Sequence, residues 1–99
     1  MVEKFQVLLP EWLADYVHYL ADTYDMKISE VIRMQVSAAA MFMAARLHPE
    51  FETDFEIDQL INTMTAHARK HDKEKVERIV SKLLFETRKA VEYRMEKEK

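Results

Sequence analysis

Apolar and polar residues alternate along residues 4–10, and over the rest of the chain apolar residues recur at helical spacing. Because strand side chains point alternately to opposite faces, the alternation predicts a β-strand with Phe5, Val7 and Leu9 on its apolar face. No other segment predicts a strand. A strand must pair its backbone N–H and C=O groups, so we expect this segment to pair with the same segment of a second copy.

The remainder of the chain predicts four helices with short connections. Pro10 is suited to open the first helix, and Pro49 ends the second by forcing His48 out of the helical region. The first two helices are predicted at about Glu11 to Tyr24 and about Ser29 to Leu47. The third is predicted to begin at the capping-box pair Thr53 and Glu56, and the fourth is predicted at about Lys73 to Glu96, with Asp72 as its cap. The third and fourth helices are expected to form an antiparallel hairpin.

Composition supports a small helical protein. The 99 residues include no glycine, no cysteine and two prolines, which favours helices and excludes disulfides and thiolate metal sites. The most apolar run, residues 34–47, contains Gln35, Ser37 and Arg46 and is too short to span a bilayer, and no signal peptide is recognised. These features predict a cytoplasmic protein that does not enter a membrane.

The charge distribution limits the possible partners. The formal net charge is −3, and residues 1–50 hold four Lys and Arg against seven Asp and Glu. A DNA-binding domain is usually basic, so any affinity for DNA must come from a local patch rather than from the overall field.

The order of elements over about residues 3–45 resembles the ribbon–helix–helix superfamily of Arc- and Met-repressor-like DNA-binding proteins. The matching features are the strand at Lys4–Pro10, the amphipathic first helix, the short connection, and Ser29-Glu30-Val31-Ile32-Arg33 opening the second helix. The connection usually carries a glycine in that family, and here Asp25 takes its place. The resemblance implies a mainly α fold in which one short N-terminal β-strand pairs with a second copy, followed by two further helices.

The resemblance also assigns residues to roles. The paired strands would enter the major groove of double-stranded DNA, where lysine can bond guanine, glutamine can bond adenine and leucine can contact a thymine methyl. The N-terminus of the second helix would hold a phosphate. The implied base contacts are Lys4, Gln6 and Leu8; the implied phosphate contacts are Lys27, Ile28 and Ser29; and the implied dimer core is Phe5, Val7, Leu9, Leu13, Val17, Leu20, Ile32 and Val36.

The leading hypothesis is therefore a homodimeric, sequence-specific DNA-binding transcriptional regulator that acts as a repressor. Residues 1–47 would dimerise and bind DNA, and residues 48–99 would form a helical hairpin packed on them that serves tetramer assembly or effector response. An alternative is a ribbon–helix–helix dimer that acts as a scaffold, antitoxin-like, and holds a protein partner through the C-terminal helices. A third is a plain helical bundle with a disordered N-terminus, which would fold as a monomer.

Enzymatic and metal chemistry find little support in the sequence. The carboxylates are scattered over solvated faces, and there is no glycine-rich phosphate loop. His67 and His71 have the i, i+4 spacing of metal ligands on a helix, but no third ligand is evident, so we interpret them as surface residues. We expect no enzyme activity, no cofactor and no metal.

Overall fold

Four α-helices make up most of the described chain. The computed structural model describes residues 2–51 and 56–99. The helices are α1 (Glu11–Tyr24), α2 (Ile28–Leu47), α3 (Ile57–Arg69) and α4 (Lys73–Lys97). The predicted bounds of α1 are confirmed at both ends, and those of α2 and α4 are confirmed to within a residue at each end.

Local signals set most of the helix ends. The carbonyl of Pro10 accepts hydrogen bonds from the N–H groups of Leu13 and Ala14, each at 3.0 Å, so the proline lies just before the first helical residue. The predicted cap of α4 is confirmed, since the carboxylate of Asp72 accepts from the N–H of Lys75 at 3.3 Å. Thr53, predicted to cap the third helix, lies outside the described residues.

The core forms where α2 and α4 meet, with α1 packed on α2 and α3 packed on α4 and α1. The deepest side chains come from these two long helices: Val31, Met34, Val76 and Leu83. The buried cluster therefore contains residues on both sides of the predicted boundary at residues 47 and 48, and the two predicted regions share one core.

The predicted N-terminal β-strand is wrong. Residues 2–9 form no strand, and the described residues contain no sheet, so the fold is all-helical rather than mainly α with a β-ribbon. The physical reason is that alternation sets only the directions of side chains, whereas a strand also needs a neighbouring row of backbone donors and acceptors. Nothing else in the described chain supplies that row.

Asp25 ends α1 in a conformation that glycine adopts more easily. Its backbone is left-handed, with φ 51° and ψ 53°, and the next N–H, of Met26, donates to the carbonyl of Ala21 at 3.0 Å. Residues with a Cβ atom are disfavoured in this region, although aspartate tolerates it better than most. The Asp25 carboxylate also lies 3.7 Å from the Lys73 ammonium, but both side chains are exposed, so that ion pair adds little.

Replacing Asp25 by glycine is expected to raise the free energy of unfolding by about 0.5–1 kcal/mol, because glycine relieves the left-handed strain at the helix end. Urea denaturation measures the change. Asp25→Asn is the matched control, since it removes the charge but keeps a Cβ atom, and its effect should be smaller. A less stable glycine variant would contradict the prediction.

Candidate interaction surface

Between residues 34 and 45 α2 carries no charged residue and has apolar side chains on every side, but its neighbours cover only one side. The covered side is formed by Val31, Met34, Met41 and Ala44, which are buried against the rest of the core. The opposite side, which we name the α2 outer face, has side chains spaced three or four residues apart that all remain exposed: Val36, Ala39, Phe42, Met43 and Leu47. A helix that is apolar all round normally lies in a protein interior or a membrane.

Few polar groups interrupt the α2 outer face. Arg46 is the only charged residue between positions 34 and 47, and it lies near the end of the helix. An apolar partner could therefore cover the centre of this face without burying an unpaired charge, which would be costly. By length and composition α2 is also apolar enough to cross a membrane, a property that core helices share.

A second exposed apolar surface precedes and includes α1. Phe5, Val7 and Leu8 are exposed on the N-terminal segment. Trp12, Tyr16 and Tyr19 form an exposed stripe on α1, where the two tyrosine rings stack with centroids 6.3 Å apart. No described helix packs over this stripe. Large apolar side chains are thus exposed on both the N-terminal segment and α1, and such a surface is a candidate site of protein contact.

The structure does not bring the predicted dimer-core residues together within one chain. Val17 and Leu20 are buried in the core of the chain itself, and Ile32 packs against that core. Leu13 is half-buried. The others are exposed: Phe5, Val7, Leu9 and Val36.

The predicted base contacts, Lys4, Gln6 and Leu8, are all exposed on the irregular N-terminal segment. Their surroundings are not basic. α1, which follows directly, carries three acids and no lysine or arginine: Glu11, Asp15 and Asp22. Polyanionic DNA would have to approach past these carboxylates.

The predicted phosphate contacts lie at the start of α2, where backbone N–H groups are free of intrahelical partners. Lys27 is the N-cap, and Ile28 and Ser29 are the first helical residues, all three exposed. The Glu30 carboxylate, however, accepts from the N–H of Lys27 at 3.2 Å. An acidic side chain of the protein therefore already occupies part of the position that a phosphate would take.

The two histidines with metal-ligand spacing do not share a helix face. His67 lies in α3, but α3 ends at Arg69 and His71 adopts a left-handed backbone with φ 56°. Across residues 2–51 and 56–99, no group of three or more His, Asp or Glu side chains is arranged to hold a metal ion.

A cleft of about 260 Å³ opens between the α1–α2 connection and α4. Its lining carries opposite charges in equal number, so it offers no net charge that would select an ion. The apolar and aromatic lining residues are Tyr24, Met26, Val76, Val80 and Leu84, and the charged lining residues are Glu30, Arg33, Lys73 and Glu77. The Tyr24 hydroxyl lies 2.8 Å from that of Thr65 on α3.

Sequence reasoning missed a polar cluster that joins the ends of α2 and α4. The His48 ring contacts the carboxylates of Glu50 and Glu98, whereas the sequence predicts for His48 only that it ends the second helix before Pro49. We name the His48 cluster by its members: His48, Glu50, Tyr93, Arg94 and Glu98. His48 and Glu98 are separated by 50 positions, so no local spacing could have indicated their contact.

Comparison with models of protein families, with curated proteins and with solved structures finds no match to this chain. The resemblance to the ribbon–helix–helix superfamily therefore stays a prediction from residues 3–45.

Proposed function

We propose that the protein is a non-enzymatic interaction protein that acts as a homodimer, with the α2 outer face as the dimer contact. The observation that carries the proposal is the exposure of that apolar face on a helix that carries no charged residue between positions 34 and 45. A 99-residue chain has a small core and is marginally stable alone, so covering this face would also stabilise the fold.

A second copy fits this face better than other occupants. A two-fold axis places identical residues opposite one another, so a face suited to self-pairing must carry little net charge. The α2 outer face meets this condition along its centre, and Ala39 allows the two helices to approach closely. Arg46 and its symmetry mate would lie towards opposite ends of an antiparallel pair, which limits their repulsion.

A membrane is the less suitable occupant. Spanning a bilayer would expose the whole circumference of α2 to lipid, so Val31, Met34 and Met41 would leave the core. α4, which is rich in charged residues, would lose the helix that covers its apolar side. The packing of α2 on α4 therefore favours the second copy.

Sedimentation of the full chain at protein concentrations of about 1–100 μM is the direct test, because this range covers the dissociation constants expected of a specific homodimer. We expect a species of twice 11.8 kDa at the upper end. A monomer at every concentration would refute the proposal. Cosedimentation of the monomer with neutral phospholipid vesicles would instead favour membrane association.

DNA-binding regulation in the cytoplasm is the second candidate function. It is favoured by the joint exposure of Lys4 and Gln6, two side chains that can bond base edges, on one segment. We rank DNA binding below self-association because the acidic residues of α1 and the Glu30 carboxylate at the start of α2 would repel the DNA phosphates. It requires neither a strand nor a sheet, only that the segment reach a groove.

Selection of bound duplexes from random DNA, followed by titration at low salt, tests this candidate. We expect Lys4→Ala or Gln6→Ala each to weaken the selected complex by roughly tenfold or more, as loss of a base contact costs about 1–3 kcal/mol. Lys99→Ala, which removes a lysine at the other end of the chain, is the control. Failure to bind any duplex at low salt would exclude DNA while leaving the homodimer proposal intact.

A further inference from the structure

The His48 ring lies between two carboxylates from distant parts of the chain. Its Nε2 atom is 2.9 Å from Oε2 of Glu98, the residue that caps the C-terminus of α4. Its Nδ1 atom is 3.2 Å from Oε1 of Glu50, in the connection that follows α2. The side chain of His48 is only 16% exposed, so water reaches little of the ring.

The chemistry of these contacts fixes the protonation state they require. An ionised carboxylate only accepts hydrogen bonds, and a neutral imidazole carries one N–H and one acceptor nitrogen. A neutral His48 could therefore donate to Glu50 or to Glu98, but not to both. Its other nitrogen would turn a lone pair towards the lone pairs of the second carboxylate, which is repulsive. Both contacts are satisfied together only by the imidazolium, which donates from both nitrogens.

We propose that His48 is a proton-dependent clamp, which ties the last turn of α4 to the connection after α2 when the ring is protonated and releases it when the proton leaves. The clamp joins the C-terminal ends of the two long helices of the core. His48 also caps α2, because its N–H donates to the carbonyl of Ala44 at 2.9 Å.

The groups around the ring explain why release would occur. The Nε of Arg94 donates to Oε2 of Glu98 at 2.8 Å, and this ion pair lies within α4. The Tyr93 hydroxyl donates to Oε1 of Glu50 at 3.2 Å, and its ring meets the His48 ring edge-on, with centroids 5.9 Å apart. Once His48 is neutral, Glu98 keeps Arg94 as its partner and Tyr93 still donates to Glu50, so the release is confined to the contact between the Glu98 carboxylate and the His48 ring.

A further charge near the clamp is a cation. The Lys97 ammonium lies over the Tyr93 ring, 5.5 Å from its centroid. Arg94 and Lys97 oppose a proton on His48, and the two glutamates favour it. Because the glutamates contact the ring directly, their effect is the larger.

The pKa directions agree with this geometry. The hydrogen bond to Glu98 raises the pKa of His48, partial burial opposes the rise, and Glu50 adds to it. The pKa of Glu98 is lowered, first by His48 and then by Arg94. The pKa of Glu50 is lowered mainly by a hydrogen bond from its own backbone, with His48 and Tyr93 contributing further.

These directions define the pH window of the clamp. Because the pKa of His48 is raised in the fold, the protonated ring stabilises the fold in full below the ordinary value of 6.5. This stabilisation is lost as the pH rises through the pKa that His48 has in the folded protein. Because the pKa values of Glu50 and Glu98 are lowered in the fold, their ionised carboxylates stabilise it above the ordinary value of 4.5, and this stabilisation is lost as the pH falls through the folded values. The clamp is therefore complete between these ordinary values and opens above the window, where His48 deprotonates.

NMR titration of the His48 ring and amide hydrogen exchange in the last turn of α4 test the clamp on the full chain. We expect the ring to titrate above 6.5. After correction for the intrinsic rate, we expect the Glu98 amide, which donates to the carbonyl of Arg94, to exchange several-fold faster above the His48 pKa than below it.

Two variants and one control sharpen the test. Glu98→Gln should lower the pKa of His48 more than Glu50→Gln does, since Glu98 is the larger cause of the rise. His18→Asn, which removes an exposed histidine from α1, should change neither the His48 titration nor the exchange. A ring that titrates at or below the ordinary value, or exchange at Glu98 that is the same on both sides of the titration, would overturn the proposal.

Discussion

Phe42→Asp is expected to convert the homodimer into a folded monomer. Phe42 lies at the middle of the α2 outer face and is 56% exposed in the single chain, so the change removes no core contact of the monomer. In the proposed dimer the same side chain is covered by the second copy, and a carboxylate there would be buried without a partner.

The expected magnitude follows from symmetry. Burying a fully exposed phenylalanine contributes about 1.5–3 kcal/mol, and because Phe42 is 56% exposed in the single chain, dimerisation can bury only about half of that, roughly 0.8–1.7 kcal/mol for each of the two copies. With about 1.4 kcal/mol for each factor of ten, the Kd should rise at least about tenfold, before the cost of burying the carboxylates is added. Sedimentation equilibrium measures the Kd, and circular dichroism establishes that the helices persist.

Phe85→Asp is the matched control for this experiment. Phe85 lies on α4 rather than on the α2 outer face and is 61% exposed, and it differs from Phe42 in that the Lys89 ammonium lies 4.8 Å from its ring centroid. The identical substitution at similar exposure should leave the Kd nearly unchanged. Equal weakening by both variants would indicate a general effect of added charge, and an unchanged Phe42→Asp dimer would place the contact elsewhere.

Leu83→Ala should produce the largest loss of stability among single changes. Leu83 is 2% exposed and belongs to the same buried cluster as Val31 and Met34 of α2. Truncating a buried leucine removes its apolar burial and leaves a cavity, which together cost about 2–5 kcal/mol. A domain of this size is stabilised by roughly 5–15 kcal/mol in total, so the variant should unfold at much lower urea concentration.

Leu84→Ala tests the same deletion one position away. Leu84 is half-buried and lines the open cleft beside α4, so its removal should cost about 1 kcal/mol or less, since little cavity is created. Both variants are compared by urea denaturation at one protein concentration, because dimerisation adds to the measured stability. If Leu84→Ala proved as destabilising as Leu83→Ala, the orientation of α4 described above would be wrong.

The sequence determined the helices because their signals are local. Pro10 and Asp72 mark helix starts by their own backbone or side-chain chemistry, and His48 before Pro49 marks the end of α2. The bounds of α1 could be predicted to the residue for the same reason. The alternation of residues 4–10 is equally local, but it predicted a strand that the fold lacks, because pairing requires a partner that no local pattern supplies.

Tertiary structure alone decided which side of α2 is buried and which residues meet at its end. The sequence predicts Ile32 and Val36 together in a dimer core, whereas packing on α4 buries Val31 and Met34 in the chain's own core and leaves Val36 at 63% exposure. The His48 cluster likewise exists only because α4 returns alongside α2 and brings Glu98 to a ring 50 residues earlier. A contact between residues so far apart depends on how the helices pack, which the order of residues within each helix does not specify.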